Sequence, residues 1–388
     1  MAKRGAQGDG TIRKRPDGRW EARYSLGRDP GSGKQRQRSI YGSTQNEARI
    51  RLKEITRAIE SGTYIETPDR YTVGKWVDTW CDTYLSDIKR STQISYRQHC
   101  ANHIKPALGA TKLSALRPDT VQAFINSLTK EKGLSPKTCK NVFGVLHAAL
   151  KRACILKYIA YNPADNVILP RIERKDIRPF DNPDLIKLLD NLDTTDIYQC
   201  CIKFDLLTGL RLGEILGLKW TDIDFNRGII IVSKQLSRPR VKGDQYALTS
   251  LKNDKTRTIK PAPMAMALLK DHKKAQAAMR LRVGSNWNDE GFPDLVFTLP
   301  TGKHLCYNVV ERHYQKVLND LGIDKRTFHA LRHSYAVNSL RAGDPVKVVQ
   351  QNLGHFSAAF TLDTYGHVTD TMMDVSAQNM ERFIAGIK

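Results

Sequence analysis

Residues 327–335 read TFHALRHSY, with His329 and His333 four apart and Arg332 just before the second histidine. On a helix that spacing brings both imidazoles to one face. Two chemistries use such a face. A zinc peptidase needs a glutamate beside the first histidine as general base, and position 330 is alanine. No third ligand stands nearby, and Arg332 would set a fixed cation beside the metal. A metal is therefore not expected. The other chemistry is phosphate binding. An arginine offers phosphate oxygens a planar fork and stays protonated, and a histidine moves a proton near neutrality. His329 and Arg332 are three apart, so both can point one way from a helix start. Alone, the pair reads equally well as a buried capping histidine and a surface arginine.

Residues of the same types lie on both sides. LLTGLRLGEILGLKW, residues 206–220, places Arg211 just after Gly209 at the start of a helical pattern with apolar flanks. An arginine in such surroundings needs a partner, and Glu214 can orient it. In NLGHFSAAFTLDTYGHV, residues 352–368, His355 follows Gly354 and Tyr365 comes ten residues later. Between the two arginines, SLKNDKTRTIKP, residues 250–261, overlaps a stretch, Arg240–Ile259, expected to contain a β-hairpin.

TGLRLGEILGL, HALRHSYA, LGH and TYGH, in that order and spacing, closely resemble the catalytic boxes of the tyrosine recombinases, the phage and transposon integrases. The resemblance implies roles residue by residue. Arg211 and Arg332 bind the non-bridging oxygens of the scissile phosphate. Tyr365 is the nucleophile, His329 takes its proton, and His355 hydrogen-bonds to the phosphate. The family's lysine sits on a β-hairpin in a pattern like K-T/N-x-x-x-R-x-I. Lys252, with Asn253, Arg257 and Ile259, fits that pattern best; Lys255 is its local rival and Lys242 a remoter one. The lysine protonates the departing 5′ oxygen. The chemistry suits these types: arginines stabilise charge growing on a phosphoryl group, and a tyrosine hydroxyl with a pKa of about 10 needs a base or cationic neighbours before it attacks. A 3′-phosphotyrosine keeps the bond energy, so neither ATP, metal nor cofactor is expected. His333 is then a structural helix-face residue, and His367 stays without an assigned role.

Elements must hold these groups. Residues 180–388 mix a strand at GIIIVSK with helices at MAMALLKDHKKAQAAM, YNVVERHYQKVLNDLG and HALRHSYAVNSLRAG. Upstream, residues 72–168 read as four helices with apolar spacings of three and four, broken at Gly109, Pro118, Gly133 and Pro136. Residues 1–64 open with TIRKRPDGRWEARYSL, an alternating pattern around the turn signal Asp17-Gly18. A third strand follows, and then a helix capped by Thr44. LPRIERKDIRPFDNPD, residues 169–184, is a charged, proline-punctuated linker. The expected fold is therefore multidomain: a small three-stranded β-sheet plus helix, an all-α domain, and a mixed, mainly α catalytic domain with a small β-sheet. The resemblance extends to all three, as an arm-type DNA-binding domain, a SAM-like core-binding domain and the catalytic domain.

Bulk numbers point the same way. The 388 residues carry a net charge of +22, and residues 1–64 alone hold fifteen Lys and Arg against seven Asp and Glu. A basic excess of this size concentrates a polyanion. Candidate DNA contacts are Arg13, Lys14, Arg15, Arg19, Trp20 and Arg23 on the strands, and Lys89, Arg90, Lys137 and Lys140 on the helical segment. The seven cysteines are irregularly spaced with no CxxC pair, which argues against a disulfide framework or zinc ribbon. No apolar run is long enough to span a bilayer, and MAKRGAQGDG lacks a secretion signal, so a cytoplasmic protein is expected.

The function expected is site-specific recombination. By resemblance, four protomers assemble on double-stranded DNA with core and arm sites, pass through a Holliday junction, and integrate or excise a mobile element. An accessory bending or directionality factor belongs to such systems. The amphipathic tail after Tyr365 either docks on a neighbouring protomer or packs on its own domain. A type IB-like topoisomerase shares the tyrosine chemistry, and a non-catalytic DNA-binding regulator shares the charge. The regulator has no need of six catalytic residues, and the basic sheet and TGLRLGEI favour the recombinase.

Overall fold

The computed structural model describes residues 11–28, 31–61, 71–173, 178–241, 243–251, 255–354, 357 and 370–387. The chain divides into two compact units, residues 1–173 and 174–388.

The first unit holds two cores. Strands β1 (Thr11–Lys14), β2 (Trp20–Arg28) and β3 (Gln35–Gly42) form an antiparallel sheet in the order β1-β2-β3. Asp17-Gly18 makes the first turn as expected, with Gly18 at φ +84°, a conformation that glycine adopts without a Cβ penalty. Helix α1 (Gln45–Glu60) covers one face. Its Thr44 hydroxyl accepts from the Glu47 amide at 3.2 Å, and Glu47 reaches back to the Ser43 amide at 2.8 Å, so orphan donors at the helix start are satisfied. Alternation sorts the strands into two faces. Ala22, Tyr24, Ala48 and Leu52 are buried between sheet and helix, and Ile12, Trp20 and Ile40 pack against them. Trp20, named among the candidate DNA contacts, thus lies half-buried on the face that packs towards α1.

The second core is all helix: α2 (Val73–Thr83), α3 (Arg90–His99), α4 (Lys105–Leu108), α5 (Pro118–Lys130) and α6 (Pro136–Ile155). They enclose Trp76, Val77, Ile104, Leu128, Leu146 and their neighbours. The Trp76 indole donates to the Ala149 carbonyl at 2.8 Å, the buried partner such a side chain requires. Between α3 and α4 the chain winds one π-helical turn, Cys100–Ile104. Pro106 follows at the start of α4; it lacks the N–H that a continuous α-helix would use there.

The second unit contains α7 (Asn182–Asn191), α8 (Ile197–Thr208), α9 (Leu212–Leu216), α10 (Pro263–Val283), α11 (Tyr307–Asp320), α12 (His329–Arg341), α13 (Val346–Leu353) and α14 (Asp370–Ala385). Its strands are β4 (Ile223–Asp224), β5 (Ile229–Val232), β6 (Lys234–Ser237), β7 (Ala247–Ser250) and β8 (Arg257–Ile259). The pairing departs from the hairpin expected within Arg240–Ile259. β7 pairs with β6, whereas β8 pairs with β5, in sheets ordered β6-β7 and β4-β5-β8. Burial explains the exchange: Ile259 is 3% exposed opposite Ile230 at 0%, so β8 closes an apolar layer that β7 does not offer. Helix α8 is the hub, with Cys200, Cys201, Ile202, Phe204, Asp205 and Leu206 all buried.

All seven cysteines are free thiols, five of them buried. Among the described residues no helix is long and apolar enough to cross a membrane.

Candidate active site

TGLRLGEI, HALRH and the Leu353-Gly354 of LGH sit at element boundaries in the second unit. TGLRLGEI spans the end of α8 and the start of α9. Gly209 ends α8 at φ +62°, and a Cβ there would stand 2.5 Å from the Tyr335 ring, so glycine is required twice over. Arg211 occupies the N-cap of α9. Its backbone amide donates to Glu214 Oε2 at 3.0 Å and its Nη1 to Glu214 Oε1 at 2.8 Å. Glu214 is 1% exposed. Burial opposes its ionisation, but hydrogen bonds from Arg257 and the charges of Arg257 and Arg211 outweigh that and hold its pKa at about 2. Glu214 is thus the fixed anion of the site.

A second arginine grips the same carboxylate. Arg257, the first residue of β8, donates through Nη1 to Glu214 Oε1 at 3.0 Å and through Nη2 to Oε2 at 2.6 Å. Its side chain is 8% exposed. In the sequence this residue marked only a lysine pattern; its place beside Glu214 comes from the return of β8 to β5.

HALRH opens α12. Arg332 is 1% exposed and donates through Nη1 to the Gly209 carbonyl at 2.7 Å and through Nη2 to the Leu353 carbonyl at 2.5 Å. These bonds fix the plane of its guanidinium. His329 stays exposed as a residue, yet crowding of its ring, then the charges of Arg332, His333 and Arg211, hold its pKa well below the usual imidazole range. It is neutral at pH 7 and able to accept a proton. His333 meets His329 edge-on with ring centres 4.6 Å apart; burial and Arg332 hold its pKa at about 4. It supports the ring of its neighbour, consistent with a structural place on the helix face.

Three arginines converge on one helix end. Arg257 Nε donates to the Asn352 carbonyl at 2.9 Å, Arg332 Nη2 to that of Leu353 at 2.5 Å, and Arg211 Nη2 to that of Gly354 at 3.3 Å. These are terminal carbonyls of α13, the negative end of its dipole, where cations are favoured. Gly354 has φ +62°, and a Cβ there would crowd the Arg257 guanidinium at 2.9 Å. The glycine before His355 thus admits an arginine and turns the chain out of α13.

One buried group was not foreseen. Asp205 on α8 is 1% exposed, and its Oδ1 has no hydrogen-bond partner. Burial pushes its carboxyl well above the usual range, against the pull of Arg332. FDLLTG reads as an ordinary helix turn, so the sequence carried no signal of it.

Arg211, His329 and Arg332 are therefore brought together. Lys252, His355 and Tyr365, with Lys242 and His367, lie outside the described residues. Leu251 and Arg257 flank the Lys252 segment, and Gly354 immediately precedes His355. Lys255 is described and exposed. Among the described residues no cluster of three or more His, Cys, Asp or Glu could hold a metal ion. A mostly apolar hollow of about 830 Å³, lined by Tyr198, Leu268, His272 and Trp287 among others, contains none of these residues.

The proposed DNA contacts of the first unit divide. On the open face of its sheet, Arg13 and Arg23 both bind Glu21. Arg15 and Arg19 each lie 5.5 Å from the Tyr41 ring centre, and Arg19 also pairs with Asp17 at 2.8 Å. Lys14 is exposed at the end of β1. Lys89 and Arg90 are exposed at the start of α3, and Lys137 and Lys140 on α6.

Known proteins resemble the chain over nearly its whole length. The model of the phage integrase family matches residues 176–372, and that of the phage integrase N-terminal SAM-like domain matches residues 72–129. A tyrosine recombinase XerC-like protein of Caldanaerobacter subterraneus subsp. tengcongensis is 30% identical over 360 residues, 89% of this chain and 91% of that protein. The ICEBs1 integrase of Bacillus subtilis is 23% identical, over 92% of this chain and 95% of its own. In fold, the chain is similar to the Tn1549 transposon integrase solved with transposon right end DNA: TM-score 0.67, 22% identity, 80% of this chain and 99% of that one. It is also similar to a lambda integrase solved as a tetramer bound to a Holliday junction: TM-score 0.58, 18% identity, 95% of this chain and 99% of that one.

Proposed function

This chain belongs to the phage integrase family and is a DNA strand-transferring tyrosine recombinase, and we propose that Tyr365 carries its chemistry. The Tyr365 hydroxyl attacks the scissile phosphorus and expels the 5′ oxygen, leaving a 3′-phosphotyrosine. His329 takes the tyrosine proton, and Lys252 gives one to the leaving oxygen. Arg211 and Arg332 face the phosphoryl oxygens, and His355 hydrogen-bonds to them. The 5′ hydroxyl of a second strand then attacks the phosphotyrosine, so the bond is remade without ATP or metal.

The observation that carries this reading is the convergence of Arg211, Arg257 and Arg332 on the last carbonyls of α13. It fixes three cations at the end of α13, which His355 follows in the sequence. Preorganised charge of this kind, present before the phosphate arrives, is what stabilises a phosphoryl-transfer transition state.

The division of labour follows the three segments. Residues 1–64 form the arm-type DNA-binding domain, 72–168 the core-binding domain and 180–388 the catalytic domain. Four protomers act on two double-stranded sites through a Holliday junction, aided by an accessory bending or directionality factor, in the bacterial cytoplasm at the nucleoid. Helix α14 supports assembly: Met380, Phe383, Ile384 and Ile387 at the chain's end are half or more exposed. A stripe of this kind suits burial on another protomer.

The test is a nicked duplex carrying the end of the element, incubated with the protein without metal or ATP and run on a denaturing gel. A DNA-shifted protein band in the wild type and none in Tyr365→Phe is the expected result. No band on DNA that the protein binds would overturn the nucleophile. Strand exchange between two such duplexes then separates a recombinase from a topoisomerase, which relaxes DNA without exchanging it.

A further inference from the structure

Glu21 is an acidic residue within a strongly basic segment, residues 1–64, which hold fifteen Lys and Arg against seven Asp and Glu. It lies mid-strand in β2, and its side chain is 3% exposed. The cover is made by the side chains it binds rather than by the hydrophobic core, which lies on the opposite face of the sheet. Arg13 of β1, its direct cross-strand partner, donates through Nε to Glu21 Oε2 at 2.6 Å. Arg23, two residues along β2, donates through Nε to Oε1 at 3.2 Å, and Ser39 of β3 donates its hydroxyl to Oε1 at 2.7 Å. Strand alternation puts all four on the face that α1 leaves open. The serine hydroxyl and the two arginines hold the carboxyl at a pKa of about 2, so it stays charged at every working pH.

A carboxylate on a DNA-facing surface repels phosphate, so electrostatics alone disfavours it. Its geometry offers a compensating use. Each arginine is tied at Nε, while 59% of the Arg13 side chain and 42% of Arg23 remain exposed. Such a tie removes the rotamer freedom of a long side chain and leaves the Nη1–Nη2 fork as its outward end. That fork matches the O6 and N7 acceptors of guanine in the major groove. Arginines that only neutralise phosphate need no such anchor.

The geometry points to Glu21 as a positioning residue for base reading: it sets Arg13 and Arg23 side by side to read guanines in the major groove of double-stranded DNA. This rests on the DNA-recombinase reading and deepens it. Arg15 and Arg19, gathered over Tyr41, flank the pair as phosphate-facing cations.

The experiment selects bound sequences from a randomised duplex pool, using the full-length wild type, Glu21→Gln, Arg13→Ala and Arg23→Ala. Affinity for the selected motif and for a scrambled duplex is then measured across salt concentrations. Wild type is expected to select a guanine-containing motif that Arg13→Ala and Arg23→Ala each lose at one base pair. Each loss is worth about tenfold to a hundredfold in discrimination. Glu21→Gln is expected to lose the motif while binding scrambled DNA as tightly or more tightly, because a negative charge has gone and the phosphate contacts remain. A structural or merely repulsive Glu21 gives the opposite result, a uniform change with the motif kept, and overturns the proposal. So does a wild-type selection with no motif that depends on Arg13 and Arg23; covalent capture by Tyr365 would still stand in that case, leaving the recombinase reading intact. If Glu21→Gln unfolds the sheet, Arg13→Lys and Arg23→Lys keep the charge without the fork. They must lose the motif and keep the salt dependence, and retention of the motif in both overturns the assignment.

Discussion

Arg257 and Arg211 hold one carboxylate between them, that of Glu214, with Arg257 on both of its oxygens at 3.0 and 2.6 Å and Arg211 on Oε1 at 2.8 Å. The carboxylate is buried, so its loss strands two cations rather than one. Breaking a buried pair by removing one partner costs about 3–5 kcal/mol. Glu214→Ala is expected to lower the melting temperature of the catalytic unit in calorimetry. In Glu214→Gln, which keeps shape and loses charge, Arg211 drifts and strand cleavage falls by about a hundredfold, the usual result of a misplacement of roughly 1 Å. Unchanged cleavage in a folded Glu214→Gln would show that Arg211 needs no anchor.

Gly209→Ala tests the backbone beneath the second arginine. The left-handed φ of +62° costs an L-residue about 1–2 kcal/mol, and the new Cβ meets the Tyr335 ring at 2.5 Å. The Gly209 carbonyl is also the acceptor for Arg332 Nη1. Gly209→Ala is therefore expected to reduce both stability and covalent capture of DNA, and Tyr335→Leu in the same chain to restore part of the stability but not the φ component. Thermal melts of the wild type and the two variants, with capture of nicked DNA on a denaturing gel, check this.

What was legible before the structure depended on how local the cause is. Arg211, Glu214, His329 and Arg332 stand at helix starts with helical spacing, so a few residues of context place them. Thr44 and Asp17-Gly18 are equally local. Arg257 was visible only as one letter in a lysine pattern, because its partners are Glu214 and Asn352, 43 and 95 residues away. The pairing of β8 with β5 is non-local in the same sense, and the hairpin expectation failed there. The packing of Trp20 towards α1 was not legible, because alternation identifies two faces of a strand without telling which one a helix covers. Asp205 gave no sign at all: one polar residue in an apolar helix turn looks like a solvent-facing position until its neighbours are known.

Asp205 makes the stability depend on pH in a direction opposite to most carboxylates. Its folded pKa is raised, mainly by burial. At low pH both folded and unfolded chains carry the proton and nothing is lost. As pH rises through the ordinary carboxylate range, the unfolded chain ionises and the folded one resists, so stability falls. Glu214 works the other way: its pKa of about 2 adds stability above the ordinary range, which is lost as pH falls towards 2. Asp205→Asn imitates the neutral acid in shape. It is expected to raise the melting temperature of the catalytic unit at pH 7, with the gain shrinking towards pH 4. A gain that grows in acid would mean that Asp205 is ionised beside Arg332.

His329 is the place to separate chemistry from binding. Crowding of its ring and the charges of Arg332, His333 and Arg211 keep it neutral in the DNA-free enzyme, so its imidazole NMR signal should not titrate between pH 8 and pH 6. A neutral base loses nothing on mild acidification, and covalent capture of nicked DNA should hold its rate over that window. His329→Gln keeps a hydrogen-bonding side chain at the start of α12 and removes the base. General-base contributions are about 10²–10⁴-fold, so capture should slow by that factor while affinity for the same duplex, measured in the Tyr365→Phe background, stays within about twofold. If affinity falls in step with capture instead, His329 holds DNA rather than a proton, and the base for Tyr365 must be sought elsewhere in the site.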